Sequence, residues 1–166
     1  MADLVHVTLR VLHIVFGVFW IGAIAYSVLV LGRVMPKVDP PARKQVMRQL
    51  IPVALMYIPL TATLTITFGI LLYLYIGLVQ QNLAILLAVL RYQILFVAML
   101  ITLGMYTFGM LSNLPTGKKI KAHLDEEKCE HMAEFGALQK FFTRSQQALL
   151  VVGVTVVSLM AIAVAS

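Results

Sequence analysis

The fold is decided by residues 4–31, LVHVTLRVLHIVFGVFWIGAIAYSVLVL, which form an apolar run long enough to cross a bilayer. No charged side chain lies between Val11 and Gly32, and a spanning helix needs about 20 apolar residues. At helical spacing, one face of this run carries polar and small residues among the aliphatic ones. These residues are His6, Arg10, His13, Gly17 and Trp20. Titratable groups inside a membrane helix indicate a functional site.

The overall composition agrees with a membrane protein. Of 166 residues, 61% are hydrophobic and 12% are charged, whereas soluble domains hold about 45–50% apolar and 25% charged residues. The single cysteine excludes an intrachain disulfide. The first apolar run is too long for the core of a cleavable signal peptide, so we expect it to be retained. The net charge of +6 lies mostly in the connections, which favours lipid headgroups over nucleic acid as its partner.

Four apolar runs predict four spanning helices, at about residues 4–31, 50–76, 83–111 and 148–165. The second and third runs belong to one charge-free stretch. We divide it at residues 77–82, GLVQQN, because glycine and three amides favour a short turn. Asp39 followed by two prolines predicts a helix start that leads into the second span. The predicted fold is an all-α integral membrane four-helix bundle, with residues 1–166 in a single domain.

The basic residues predict an orientation. Five of the 13 Lys and Arg lie in the first connection, six lie in the third, and the 77–82 turn has none. The positive-inside rule then places connections one and three in the cytoplasm and both termini outside, an N-out and C-out arrangement. Apolar residues spaced by three to four among the charges of the third connection predict an amphipathic cytoplasmic segment, a helix that lies on the inner leaflet or runs into helix four. The predicted location is a prokaryotic cytoplasmic membrane.

Two titratable residues, His13 and Arg91, are predicted to lie well inside spans. Counted from the outer helix ends at Leu4 and Leu83, they lie roughly 13 and 12 Å deep along helices one and three. Because the two depths match, we expect both side chains to face one pocket in the outer half of the bundle.

A b-type haem suits this predicted pocket. Imidazole ligates haem iron, and arginine pairs with carboxylates such as propionates at two points. We therefore predict His13 as the axial ligand, with Arg10 and Arg91 on the propionates. Gly17, one turn from His13, leaves room for the flat ring. Met160 is the candidate second axial ligand, and five-coordinate iron is equally compatible.

Copper is an alternative occupant of the same helix face. His6 and His13 are about 10 Å apart along the helix, so one ion between them needs a third ligand. The nine methionines would suit Cu(I), although methionine is also an ordinary packing residue. The polar groups also suit plain hydrogen bonds between helices, as in a chain with no cofactor.

The pattern Leu12-His13-x6-Trp20-x-Gly22 resembles the first helix of a superfamily of small four-helix membrane proteins. This superfamily includes the copper-resistance CopD type and the HemJ-type protoporphyrinogen oxidases. Residues 47–52, MRQLIP, followed by residues 61–73, are similar to its second helix. The resemblance implies a helix-one histidine that binds haem b in the HemJ type or has a metal-related role in the CopD type.

Only His13 matches this resemblance directly. Arg91 stands near the place where HemJ-type proteins carry a lysine, and Gly32-Arg33 replaces their extra histidine near the end of helix one. These departures speak against protoporphyrinogen oxidation more than against haem binding.

The sequence thus predicts a membrane redox protein, an oxidoreductase or electron carrier. It would exchange electrons with a quinone, a porphyrin or a redox-protein partner. The alternatives are an accessory subunit of a larger membrane complex or homo-oligomer, and a copper-handling protein. No Asp or Glu lies in any predicted span, which argues against chemistry by paired carboxylates.

Overall fold

The computed structural model describes residues 3–80, 86, 88–126 and 132–165, and within these ranges the chain is helical with no strand. The α-helices are α1 Leu4–Tyr26, α2 Pro40–Tyr75, α3 Leu90–Phe108, α4 Leu114–Asp125 and α5 Met132–Ala165. The all-α fold class is confirmed.

Wider, π-helical turns extend several of these helices without a break. Ser27–Leu31 follows α1, Ile76–Gln80 follows α2, and Gly109–Asn113 joins α3 to α4. Beyond Ser27–Leu31 the first helix continues through Gly32–Val34 and a 3₁₀ turn at Met35–Lys37. Turns of the π type are rare and frequently occur at functional sites.

Four of the resulting helices are long and apolar enough to cross a membrane. They comprise Leu4–Lys37, Pro40–Val79, Leu90–Asp125 and Ala133–Val164. Large apolar side chains point outwards on each of them, among them Val18, Met56, Leu111 and Val151. A surface of this kind needs lipid rather than water. The chain is therefore a multi-pass membrane protein in contact with the bilayer.

The start of α2 agrees with its sequence signals. The Asp39 carboxylate accepts a hydrogen bond from the Ala42 amide at 3.2 Å, and Pro40 occupies the first turn, where its missing N–H costs nothing. Residues 50–75 of the predicted second span form the C-terminal part of this longer helix, and residue 76 begins the π-helical turn that follows it. Pro52 and Pro59 lie inside α2, and the helix continues through both.

The third helix differs from its predicted bounds. We predicted residues 83–111, but α3 begins at Leu90, because the backbone at Val89 is extended (φ −97°, ψ 125°) and precedes the first turn. Residues 83–85 and 87 lie outside the described part of the chain, as do 81 and 82 of the predicted turn.

The predicted amphipathic segment is divided between two helices. Its first part is α4, which continues the third span, and its last part is the beginning of α5, which runs without interruption into the fourth. Residues 127–131, between the two, lie outside the described ranges. The fourth helix is therefore much longer than the predicted residues 148–165.

Neighbouring helices pack antiparallel in a ring, with α1 against α2, α2 against α3 and α4, α3 against α5, and α5 against α1. The centre is filled by buried side chains from all four spans, among them Trp20, Ile24, Ala62, Ala98, Met105, Leu149 and Val156. A Cβ on Gly153 of α5 would lie 2.8 Å from Ile21 Cδ1 of α1, so this glycine allows the two helices to approach closely.

The two ends of the bundle differ in charge. One end, which we call the basic end, holds Arg33 and Lys37, the first turns of α2, and α4 with Lys118, Lys119 and Lys121. There Arg48 Nη2 donates to the Asp125 carbonyl at 2.8 Å, which joins α2 to α4. At the opposite end Asp3 accepts hydrogen bonds from the Val5 amide and from the Tyr75 hydroxyl, which joins α1 to α2.

Candidate functional site

His13 is held against α2 by its ring. Its Nδ1 lies 2.8 Å from the Thr65 carbonyl oxygen. Since a carbonyl only accepts, Nδ1 carries the proton, and in the neutral ring Nε2 then keeps its lone pair. The ring lies on Gly69, where a Cβ would be 2.8 Å from His13 Cε1. A histidine whose Nδ1–H is bound by a backbone carbonyl is oriented as metal-ligating histidines usually are.

Arg91 lies at a different level from His13. It occupies the first turn of α3, is exposed, and its guanidinium carbon is 5.2 Å from the centre of the Tyr92 ring. Tyr73 of α2 packs on Phe96 of α3, with ring centres 6.2 Å apart. That contact places Arg91 beyond Tyr73, whereas His13 bonds to α2 two turns or more nearer the middle.

The predicted match in depth is therefore absent. His13 and Arg91 are separated by about ten residues along the bundle, or roughly 15 Å. The physical reason is the late start of α3. Counting from Leu83 placed Arg91 two turns inside the helix, but counting from Leu90 places it at the helix end.

The other predicted site residues are also dispersed. Arg10 is exposed on α1, and His6 is half-buried one turn closer to the helix start. A Cβ on Gly17 would lie 3.6 Å from Thr65 Cγ2, so the space beside this glycine is taken by α2. Met160 is half-buried and packs on the central apolar cluster. Among the described residues, no three His, Cys, Asp or Glu side chains converge on one point.

A large cavity lies in the half of the bundle towards the basic end. Its volume is about 1130 Å³, slightly above the usual range of about 300–1,000 Å³ for small-molecule sites. Buried apolar side chains line its inner end, namely Trp20, Ile24, Ala62, Met105 and Leu149. None of the predicted site residues His6, Arg10, His13, Gly17, Arg91 and Met160 lines it.

The mouth of this cavity is basic. Arg33, Arg43 and Lys44 line it, and the two arginines are exposed. Lys44 Nζ also donates to the Glu126 carbonyl at 2.7 Å, which ties this side of the mouth to the end of α4. His123 closes another side, with its ring centre 5.8 Å from that of Phe135. The cavity is thus apolar inside and positively charged where it opens.

Two amides on the cavity wall are buried and incompletely bonded. Asn113 and Gln146 are 5% and 6% exposed. Asn113 Oδ1 accepts from the Ser145 hydroxyl at 2.6 Å, yet Asn113 Nδ2 and Gln146 Oε1 have no partner within the described part of the chain. Both residues line the cavity. Buried polar atoms without partners are uncommon in folded proteins, so this pair calls for an explanation.

The sequence did not indicate this cavity, because the titratable residues inside the predicted spans, His13 and Arg91, do not line it. Asn113 stands in the run SNLP after an apolar span, and Gln146 in the run SQQ before one. An uncharged amide at a span end is ordinary taken alone. The signal available was that both fall within a turn or two of the basic connections, on helices that short connections bring together.

Searches for related proteins gave no match among protein-family models, curated proteins or solved structures.

Proposed function

We propose that this chain is a membrane protein that binds a lipid-like anionic amphiphile, with the apolar part inside the cavity and the anionic head at its basic mouth. The observation that carries this proposal is the cavity itself, about 1130 Å³, apolar at its inner end and bordered by Arg33, Arg43 and Lys44. Inside the bilayer an acyl chain fills such a space by van der Waals packing, and each basic residue near the surface adds roughly 1 kcal/mol of attraction for an anion.

Trp20 provides a direct test. It is the only tryptophan, it is 5% exposed, and it lines the inner end of the cavity. In nanodiscs, a long-chain carboxylate brominated near its tail should quench Trp20 fluorescence with saturation. A phosphatidylcholine brominated on its chains, which stays in the bilayer, should not do so. If both probes quench Trp20 fluorescence alike, or if neither does, the protein does not bind amphiphiles in this cavity.

Variants at the mouth test the charge. Arg33→Gln and Arg43→Gln should each weaken binding of the brominated carboxylate about fivefold, which corresponds to about 1 kcal/mol. Lys118→Gln is the matched control, because Lys118 is an exposed basic residue of the same end that does not line the cavity. An equal loss in all three variants would mean that surface charge in general, not the mouth, attracts the ligand.

Haem b at His13 is a second proposed function, and one observation favours it. The Nδ1–H of His13 is held by the Thr65 carbonyl, which leaves Nε2 available for iron. When bound, a haem would supply one-electron redox chemistry. Gly17 faces Thr65, so the haem macrocycle would not lie beside this glycine, where the sequence predicted it. A quinone, porphyrin or redox-protein partner belongs to this proposal.

The purified protein would then show a Soret band and one haem in the pyridine haemochrome assay. His13→Ala should abolish both, and His6→Ala should leave them unchanged. A colourless protein from haem-replete cells would eliminate this function. Copper above the level of a blank preparation, lost in His6→Ala, would favour copper handling instead. A metal-free, colourless protein that purifies only with other chains would favour an accessory subunit.

A further inference from the structure

The buried amide pair marks a polar point inside an otherwise apolar cavity. Asn113 Nδ2 is a donor without an acceptor, and Gln146 Oε1 is an acceptor without a donor, within the part of the chain that the structure describes. They do not bond to each other. Ser145, the neighbour of Gln146, has a single hydroxyl proton, which is shared between Asn113 Oδ1 at 2.6 Å and the Phe142 carbonyl at 2.8 Å.

Both residues border the cavity, so its occupant is the natural partner. Burial of an unbonded amide costs free energy that a hydrogen bond to a ligand recovers. Asn113 belongs to the π-helical turn Gly109–Asn113, and Gln146 belongs to α5. A ligand between them can therefore contact the cavity wall on two sides.

The pair lies well inside the mouth. Gly117 of α4 packs against Leu55 of α2, and the Tyr106 hydroxyl meets Thr63 Oγ1 at 3.1 Å. Asn113, between Gly117 and Tyr106, is therefore level with a point between Leu55 and Thr63. From Arg43 this is some 12 to 16 residues of helix, roughly 20 Å. A headgroup at the mouth does not reach the amides, so a second polar group on the ligand must do so.

We infer that the amphiphile bound by this cavity carries a hydroxyl group part-way along its chain. A hydroxyl oxygen accepts from Asn113 Nδ2–H, and its proton is donated to Gln146 Oε1. Ether and keto oxygens only accept, so they satisfy one amide and leave the other unbonded. This inference rests on the proposed amphiphile binding and names the ligand class, a hydroxylated long-chain anion.

Three ligands of equal chain length test it against the wild-type protein in nanodiscs. They are octadecanoate, a mid-chain hydroxyoctadecanoate and the methyl ether of the latter, each competing with the brominated probe for Trp20. The hydroxylated chain should bind about tenfold more tightly than the plain chain for each hydrogen bond gained. The methyl ether should lose part of that preference, because it cannot donate.

Variants that remove one amide each should reduce the preference. Asn113→Leu and Gln146→Met each replace an amide by an apolar group of similar shape, so each should lower the preference for the hydroxylated chain about tenfold, and the double variant should bind both chains alike. Gln49→Met is the control, because Gln49 is an exposed amide that does not line the cavity. It should keep the wild-type preference.

A stability measurement separates this role from a purely structural one. Without ligand, Gln146→Met should melt at or above the wild-type temperature, since it removes an unbonded buried oxygen, whereas Asn113→Leu also loses the hydrogen bond from Ser145 and should melt lower. When the hydroxylated ligand is added, the melting temperature of the wild type should rise more than that of either variant. Equal affinity of the wild type for the three chains overturns the inference and leaves amphiphile binding standing. No binding of any chain overturns both.

Discussion

At the scale of single residues, the contact between His13 and Gly69 shows how little space α1 and α2 leave between them. The imidazole lies on the backbone of α2 and donates to Thr65, a contact that a side chain at residue 69 would disturb. A glycine in a helix normally costs about 1 kcal/mol relative to alanine. Here that cost is offset by the hydrogen bond and the packing of the ring.

Gly69→Ala should therefore lower the free energy of unfolding by about 1–3 kcal/mol, because its Cβ would lie 2.8 Å from His13 Cε1 and force the ring to move. Gly104→Ala is the control. No atom lies within 4 Å of its added Cβ, so it should be neutral or stabilising. The check is reversible unfolding in detergent. In a His13→Ala background the cost of Gly69→Ala should largely disappear, and a persisting cost would contradict this account.

At the scale of the helix, α2 connects the two ends of the molecule and begins at a defined cap. Asp39 accepts from the Ala42 amide at 3.2 Å, and its backbone carbonyl accepts from the Arg43 amide at 2.9 Å. The next residues carry the cations of the cavity mouth. A frayed first turn would therefore loosen Arg43 and Lys44 together with the helix.

Asp39→Ala should cost about 0.5–2 kcal/mol of stability, whereas Asp39→Asn should remain close to the wild type, since asparagine caps equally well. Thermal unfolding followed by circular dichroism measures the difference. Asp39→Ala should also lower the affinity for the brominated carboxylate, because the mouth of the cavity is then less ordered. Equal losses in the two variants would point to charge rather than capping.

At the scale of the whole molecule, the asymmetry of charge bears on the orientation in the membrane. Basic residues concentrate in the connections at one end, while Asp3, Tyr75 and Arg91 lie towards the other. Such a bias in short connections sets the side that remains in the cytoplasm. With an even number of spans, we expect residues 3 and 165 to lie on the same side, and the positive-inside rule predicts that this is the outer side.

In a bacterial host, alkaline phosphatase fused after residue 166 should be active, and green fluorescent protein fused there should be dark. A fusion of the fluorescent protein after Lys119, in the third connection, should be bright. The reverse pattern would show that the basic end lies outside and that the proposed orientation is wrong.

The membrane-spanning helices and the start of α2 could be predicted from the sequence. Which side of each helix faces its neighbours could not. The four spans follow from apolar length, and the beginning of α2 follows from Asp39 and the prolines. The start of α3 was placed too early, because residues 83–90 contain no glycine, proline or charge to mark the extended backbone at Val89. That error moved Arg91 inward and produced the apparent match with His13.

The cavity was beyond the sequence for a different reason. In a soluble protein the apolar face of a helix marks the core, but in a membrane the outward face is apolar as well. The hydrophobic pattern therefore did not separate the cavity wall from the lipid surface. Asn113 and Gln146 became informative only once the helices that carry them were seen to border one space.

The lengths of the helices carry a last consequence. The four membrane helices contain between 32 and 40 residues, which as helix is about 48–60 Å, against about 30 Å of hydrocarbon. A third or more of their length must lie outside the hydrocarbon region of the membrane. The charged residues place most of this extra length at the basic end. The mouth of the cavity, between Arg33 and Arg43, then lies among the lipid phosphates or in water. The association rate of an anionic ligand should therefore fall as ionic strength rises.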